Sequence, residues 1–384
     1  MKKIAIVLND AIIGGVETAF SDMMNAFDFS QYDITLFTNI EGNSIIHHLP
    51  KSIRIVDLNS FSPYLLLKNH FRSFQLFRAA KDLFCLLQNR IGKNEFRKIK
   101  RIAMLRKLSD ENFDAAIAYK QTIAMANVLY SLNAEKKCVW VHGALLNEKG
   151  IDTDYLKCFD RFDKIFCVSE TVLQTVDRLR GKDDGKTELF HNLIDPEKIR
   201  RLSEAYSPDY PENKTILCTV GRLGPEKGQK MIPEISSLLL ADGYDFQWFV
   251  VGDGPEKELL TNEIRKYRVE NSVILTGAKQ NPYPYMKHCT IYVQTSVAEG
   301  WGLTVQEAKI LRKPIVTTGL PVFSEQISHL NNGYLAEGTS AHDLYQGIKW
   351  LIDSKEARSA FSDCLKSSVD TCNDLSKLYA FLNG

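Results

Sequence analysis

C-T-I-Y-V-Q-T at residues 289–295, S-V-A-E-G-W-G at 296–302 and L-T-V-Q-E-A-K-I-L-R at 303–312 form one strand–loop–helix stretch. The first segment reads as a buried strand and the second as the loop leaving it. From about Thr304 the pattern turns helical, and Pro314 ends it. Gly300 and Gly302 beside a helix start free several backbone N–H groups, which together with the helix dipole make an anion site. Glu299 on the loop and Glu307 about one turn into the helix bracket that site. A carboxylate beside a phosphate site accepts hydrogen bonds from sugar hydroxyls more readily than it binds phosphate. The stretch therefore reads as a pocket for a sugar attached to a diphosphate.

Outward from this unit the chain alternates strands and helices. Upstream in the second half, residues 215–220, 245–251 and 273–275 read as strands, with helices at 231–240 and 256–267 and a further strand at 314–317. In the first half the strand candidates are 4–8, 34–38, 53–58, 115–119, 138–142 and 164–168. Apolar strands alternating with amphipathic helices argue an α/β, doubly wound parallel sheet in each half. Arg222 and Lys227 stand on one glycine-bearing loop, G-R-L-G-P-E-K-G at 221–228, close enough to converge on a diphosphate. Gly252-x-Gly254 lacks the third glycine and the downstream acid of a dinucleotide fingerprint. Gly14-Gly15 follow the first strand and precede a helix, which fits either a simple turn or a ligand-lining loop. His142 ends a strand, at the carboxyl edge where such folds bind ligands. Residues 341–382 read as a helical tail.

The chain has 384 residues, which favours two domains, 1–205 and 206–384, with the polar run at 207–214 near the boundary. A hydrophobic content of 44% with 25% charged residues describes a soluble globular protein, and a net charge of +1 gives no argument for nucleic acid. Eight cysteines without a C-x-x-C pair or a Cys/His cluster indicate neither a zinc site nor a disulfide framework, and suit a reduced cytosol. The apolar run after Met1-Lys2-Lys3 is too short for a signal peptide and no run spans a bilayer. Between residues 64 and 107, however, twelve Lys and Arg residues face only Asp82 and Glu95. Apolar residues interleave with them at helical spacing, so a basic amphipathic hairpin with a turn near 89–93 is expected. Such a segment, including Arg97, Lys98, Lys100 and Arg101, suits an anionic membrane face; a solvated helix pair packed on the domain is the other reading.

Taken together, Gly14-Gly15-Val16-Glu17, Val141-His142-Gly143, the 221–228 run, V-G-D-G-P at 251–255 and E-G-W-G-L-T-V-Q-E-A at 299–308 resemble the GT4-type retaining glycosyltransferases of the GT-B fold. The resemblance runs in matching order to about Gly333, and its last motif is the most specific. It implies two Rossmann-like domains facing across a cleft, with C-terminal helices, and the nucleotide sugar held mainly by the second domain. By position, Arg222 and Lys227 would bind the diphosphate and the N–H groups around Gly302-Leu303-Thr304 the distal phosphate. Glu307 would take the ribose hydroxyls and Glu299 the donor sugar, while His142 would contact that sugar near its anomeric centre. Gly14 and Gly15 would line the cleft. No metal or other cofactor is expected. Two departures stand out: Leu193 follows Asn192 where the family often has glycine, and Trp301 replaces the frequent phenylalanine. Thr304-x-x-Glu307 also fits a capping box, an alternative use for Glu307.

The resulting expectation is a cytoplasmic retaining hexosyltransferase, peripheral on the inner face of the membrane. It would move a sugar from a nucleotide donor, UDP-linked, to a lipid-linked saccharide acceptor in bacterial surface polysaccharide (capsule or exopolysaccharide) synthesis. Two other readings share the motifs: a UDP-sugar 2-epimerase, which needs no acceptor, and a non-catalytic sugar-nucleotide-binding module.

Overall fold

The apolar run near the N-terminus forms β1 (Lys2–Leu8), with Ile4 through Leu8 all buried. The structure, a computed structural model, describes residues 1–9, 14–40, 44–61, 95–143, 153–367 and 374–384. From β1 the chain passes through α1 (Gly15–Ala26), β2 (Tyr32–Thr38), β3 (Arg54–Asp57), α2 (Glu95–Leu105), β4 (Asn112–Ala118) and α3 (Ile123–Tyr130). It continues through β5 (Asn133–Val141), α4 (Thr153–Phe159), β6 (Lys164–Cys167), α5 (Glu170–Arg180) and β7 (Thr187–Leu189). The described strands form one parallel sheet in the order β3-β2-β1-β4-β5-β6-β7. A parallel pair needs a long crossover, which is why helices separate most of the strands. Trp140 on β5 is fully buried, with ring centroids 4.5 Å from Phe166 and 5.4 Å from Tyr119. The Ser169 hydroxyl caps α5 by accepting from the Val172 N–H at 3.1 Å.

A second unit begins at Asp195, whose carboxylate accepts from the Lys198 N–H at 2.9 Å and caps α6 (Pro196–Ser203), with Pro196 in the first turn. There follow β8 (Thr215–Val220), α7 (Ile232–Ala241), β9 (Phe246–Val251), α8 (Lys257–Tyr267), β10 (Val273–Gly277), α9 (Tyr283–His288) and β11 (Ile291–Gln294). Then come α10 (Leu303–Ile310), β12 (Ile315–Thr317), α11 (Pro321–Ser324), β13 (Tyr334–Leu335), α12 (Ala341–Asp353) and α13 (Lys355–Ser367). The sheet is again parallel, in the order β10-β9-β8-β11-β12-β13. Two of its interior polar groups pair with each other: the indole N–H of Trp248 donates to Thr219 Oγ1 at 3.0 Å, and that hydroxyl donates to the Val293 carbonyl at 2.7 Å. In both sheets the strand order reverses beside the first strand, between β1 and β4 and between β8 and β11. Crevices for ligands open at the carboxyl ends of the strands at such points.

The doubly wound reading holds for both halves, with three differences of detail. The contact pattern divides the chain at Ile194/Asp195 rather than at 205/206. The last helix, α14 (Ser376–Asn383), expected with the second domain, belongs to the first unit. Lys2 Nζ donates to the Leu382 carbonyl at 2.7 Å, Tyr32 Oη to Asn383 at 2.9 Å, and the Asp28 N–H to Tyr379 Oη at 2.8 Å. Two short edge strands, β7 and β13, were not expected from the sequence pattern. The basic hairpin and its turn fall mostly at 62–94, outside the described residues, and α2 is its described end. No helix among the described residues is long and apolar enough to cross a membrane.

Candidate active site

The loops that leave β8 and β11 are neighbours because their strands are, and backbone hydrogen bonds join them. The N–H groups of Val297 and Ala298 donate to the Glu226 carbonyl at 2.9 and 3.2 Å, and Thr295 Oγ1 donates to the Lys227 carbonyl at 2.7 Å. So close an approach requires Gly228, which has φ +64°; a Cβ there would lie 2.2 Å from the Thr295 carbonyl oxygen. This stitching brings Lys227 and Glu299, 72 residues apart, together as an ion pair at 2.5 Å. The Glu299 Oε1 also accepts from Ser296 Oγ at 2.8 Å and Gln294 Nε2 at 3.2 Å, with its side chain 10% exposed. Arg222, more open at 57% exposed, pairs with Glu226. The two expected diphosphate cations are thus each held by a carboxylate of the same unit.

Gly302, with φ +84°, sits immediately before α10 in a place where a Cβ would meet the Phe323 ring at 2.6 Å. The first turn of α10, from Leu303 and Thr304, presents N–H groups that have no partner within the helix. Thr304 Oγ1 turns toward β11 and donates to Gln294 Oε1 at 3.0 Å. Glu307 is buried and accepts from Tyr283 Oη at 3.2 Å. Because Gly302 precedes the helix and offers no side-chain cap, Thr304 and Glu307 do not form the capping box. Trp301 is also buried, and its indole N–H donates to Gln306 at 2.9 Å.

Sequence reasoning passed over Gln294, which organises this edge. Its Oε1 accepts from Tyr292 Oη at 2.8 Å as well as from Thr304, and its Nε2 donates to both Ser296 and Glu299. Burial raises the Tyr292 phenol well above its usual range, so it remains a donor. The available signal was a lone amide ending an otherwise apolar strand, I-Y-V-Q. Glu226 and Tyr283 were missed as well, since each acquires its role only from a distant or folded-back partner.

In the first unit, Gly14 precedes α1 in an extended conformation and Gly15 opens the helix. Glu17, in the first turn, is buried and forms an ion pair with Lys120, just beyond β4. His142 leaves β5 with its ring centroid 4.8 Å from that of Tyr119, and its N–H donates to Gln121 Oε1 at 3.3 Å. Both imidazole nitrogens are buried with no well-formed hydrogen bond among the described residues, the Tyr119 backbone being the polar group that acts on the ring. Burial, and secondarily the charge of Lys120, lowers its pKa to about 3, so the ring is neutral near pH 7. On α2, Phe96 and Ala103 face inward, Lys100 lies 5.6 Å from the Tyr130 ring centroid, and Arg97 and Met104 are exposed. Among the described residues no group of three or more His, Cys, Asp or Glu side chains is arranged to hold a metal ion.

Comparison with known proteins agrees with this architecture. Over 373 residues, 94% of each chain, the protein is 26% identical to an uncharacterized glycosyltransferase of Haemophilus influenzae. It is 27% identical over 183 residues, 47% of this chain and 48% of the relative, to the N-acetylgalactosamine-N,N'-diacetylbacillosaminyl-diphospho-undecaprenol 4-alpha-N-acetylgalactosaminyltransferase of Campylobacter jejuni. The crystal structure of TarM from S. aureus, in complex with fondaparinux, alpha-GlcNAc-glycerol and UDP, superimposes with a TM-score of 0.72 at 15% identity, covering 100% of both chains. Residues 204–366, which hold the Lys227–Glu299 pair and the start of α10, match the family described as glycosyl transferases group 1. The second unit of the chain thus carries the similarity to that family, and the fold is the one seen in TarM.

Proposed function

We propose that this protein is a retaining glycosyltransferase that transfers a sugar from a UDP-linked donor to a lipid-linked saccharide in bacterial surface polysaccharide assembly. The observation that carries this reading is the Lys227–Glu299 ion pair beside the start of α10, at the switch point of the second sheet. In the free protein each group satisfies the other. When a nucleoside diphosphate sugar arrives, Lys227 turns to the diphosphate with Arg222, and Glu299 is released to accept hydrogen bonds from sugar hydroxyls. The N–H groups at 302–304 receive the distal phosphate and Glu307 the ribose. In the first unit His142, with an uncharged imidazole, and Gly14 and Gly15 keep the roles toward the donor that the sequence resemblance implies. An acceptor hydroxyl then attacks the anomeric carbon on the face the diphosphate leaves. The carbon–oxygen bond to phosphate breaks, and the hydroxyl proton passes to the departing phosphate oxygen. The cations and the helix terminus neutralise the leaving group, so the reaction needs no metal.

UDP in the TarM complex supports the nucleotide, and the diphospho-undecaprenol in the Campylobacter relative's name supports a lipid-linked acceptor. A panel of UDP-, GDP- and ADP-sugars, tested with and without undecaprenyl-diphosphate-linked saccharides, tests the reading. The expected result is one UDP-sugar consumed with retention of anomeric configuration only when acceptor is present. Conversion of the donor alone to an epimer, or tight binding without product, overturns it.

We place the enzyme at the inner membrane surface through the basic segment, of which α2 carries Arg97, Lys98, Lys100 and Arg101. Replacing these four by Gln should weaken binding to anionic liposomes at low salt, each charge near the surface contributing about 1 kcal/mol. Unchanged binding in a sedimentation assay contradicts the placement.

A further inference from the structure

We propose that the turn from Tyr119 to Thr122 after β4 is a positioning device for His142, with Gln121 and Thr122 as its working residues. The inference rests on the role given to His142 above. Thr122 has φ 65° and ψ −100°, outside both helical regions, and it is β-branched, the residue type least suited to positive φ. Its hydroxyl donates to the Gln121 carbonyl at 2.7 Å, a local bond that leaves the torsion unrelieved. Such a conformation persists where surrounding contacts over-determine it, and strain of this kind gathers at functional sites.

Three ties hold this turn, and they lead to the motif residues of the first unit. Lys120 is ion-paired to Glu17, two residues beyond Gly15 at the start of α1. Gln121 accepts the His142 N–H, and its amide nitrogen lies 3.9 Å from where a Cβ on Gly143 would sit. Tyr119, held by its N–H donating to the Val7 carbonyl at 3.0 Å, sets its ring against the imidazole. The backbone and ring of His142 are therefore both fixed by this turn, while its two ring nitrogens have no well-formed hydrogen bond among the described residues. Among the described residues the contacts to His142 thus serve its orientation.

The test compares Gln121→Met, Gln121→Glu, Thr122→Gly and His142→Ala in the full chain, using the donor and acceptor found by the panel above. Thr122→Gly should keep or raise the melting midpoint, because glycine adopts this torsion without strain, and yet lower kcat about tenfold with donor KM little changed. Gln121→Met should lower kcat similarly. Gln121→Glu, which retains an acceptor for the His142 N–H, should restore kcat to within about threefold of the parent. If His142→Ala lowers kcat while the Met and Gly variants keep it, the positioning inference fails and the role of His142 stands. If His142→Ala leaves kcat unchanged, both fail together.

Discussion

Lys227→Ala should lower turnover by about a hundredfold or more at saturating donor, the effect of losing one preorganised stabiliser worth roughly 3 kcal/mol in the transition state. Lys227 has two tasks on opposite sides of donor binding. In the free protein it neutralises Glu299, whose side chain is only 10% exposed and otherwise has the Ser296 hydroxyl and the Gln294 amide. In the proposed complex it neutralises charge growing on the departing diphosphate. The second task acts on kcat, because that charge is larger in the transition state than in the bound donor. The variant should also melt earlier, since a mostly buried carboxylate has lost its counter-ion. Steady-state kinetics with a melting curve check both. A defect confined to KM places Lys227 in uniform binding and removes it from the chemistry.

Gly228→Ala should damage stability and activity together. Its left-handed φ of +64° costs an L residue about 1–2 kcal/mol by itself. The added Cβ would sit 2.2 Å from the Thr295 carbonyl oxygen, so backbone must move, and the pieces that would move are the two joined loops. The total loss should reach about 3 kcal/mol or more. Gly243→Ala is the control: φ is +85° there, but no atom lies within 4 Å of the added Cβ. That variant should lose only the torsional share, about 1–2 kcal/mol, and keep full turnover. Equal losses in denaturant unfolding would refute the idea that close approach of the loops is what requires Gly228.

Much of the scaffold was legible in the sequence because parallel strands covered on both faces are written as uninterrupted apolar runs. T-I-L-C-T-V and I-Y-V-Q are strands at the expected residues, Thr215–Val220 and Ile291–Gln294. The edge strands Thr187–Leu189 and Tyr334–Leu335 left no such mark, since they are only partly buried and owe their pairing to a neighbour already in place. Likewise, nothing in the composition of residues 376–383 says that this helix returns to the first sheet, where Lys2, Tyr32 and Asp28 hold it.

The strand–loop–helix stretch at 289–312 followed the same division. Local chemistry was enough to put a helix start after Gly302 with two carboxylates near it, because glycine positions and apolar periodicity are properties of neighbouring residues. Their shared glycine-bearing loop added Arg222 and Lys227, and the resemblance implied the same task for them. Tertiary structure decided which charge meets which: Lys227 goes to Glu299 and Arg222 to Glu226, while Glu307 answers Tyr283 rather than capping its own helix. It also made Gln294 the hub of the edge. The physical reason is range. Torsional preference and burial pattern act over a few residues, whereas ion pairs and hydrogen bonds between loops exist only once strand order has made β8 and β11 neighbours.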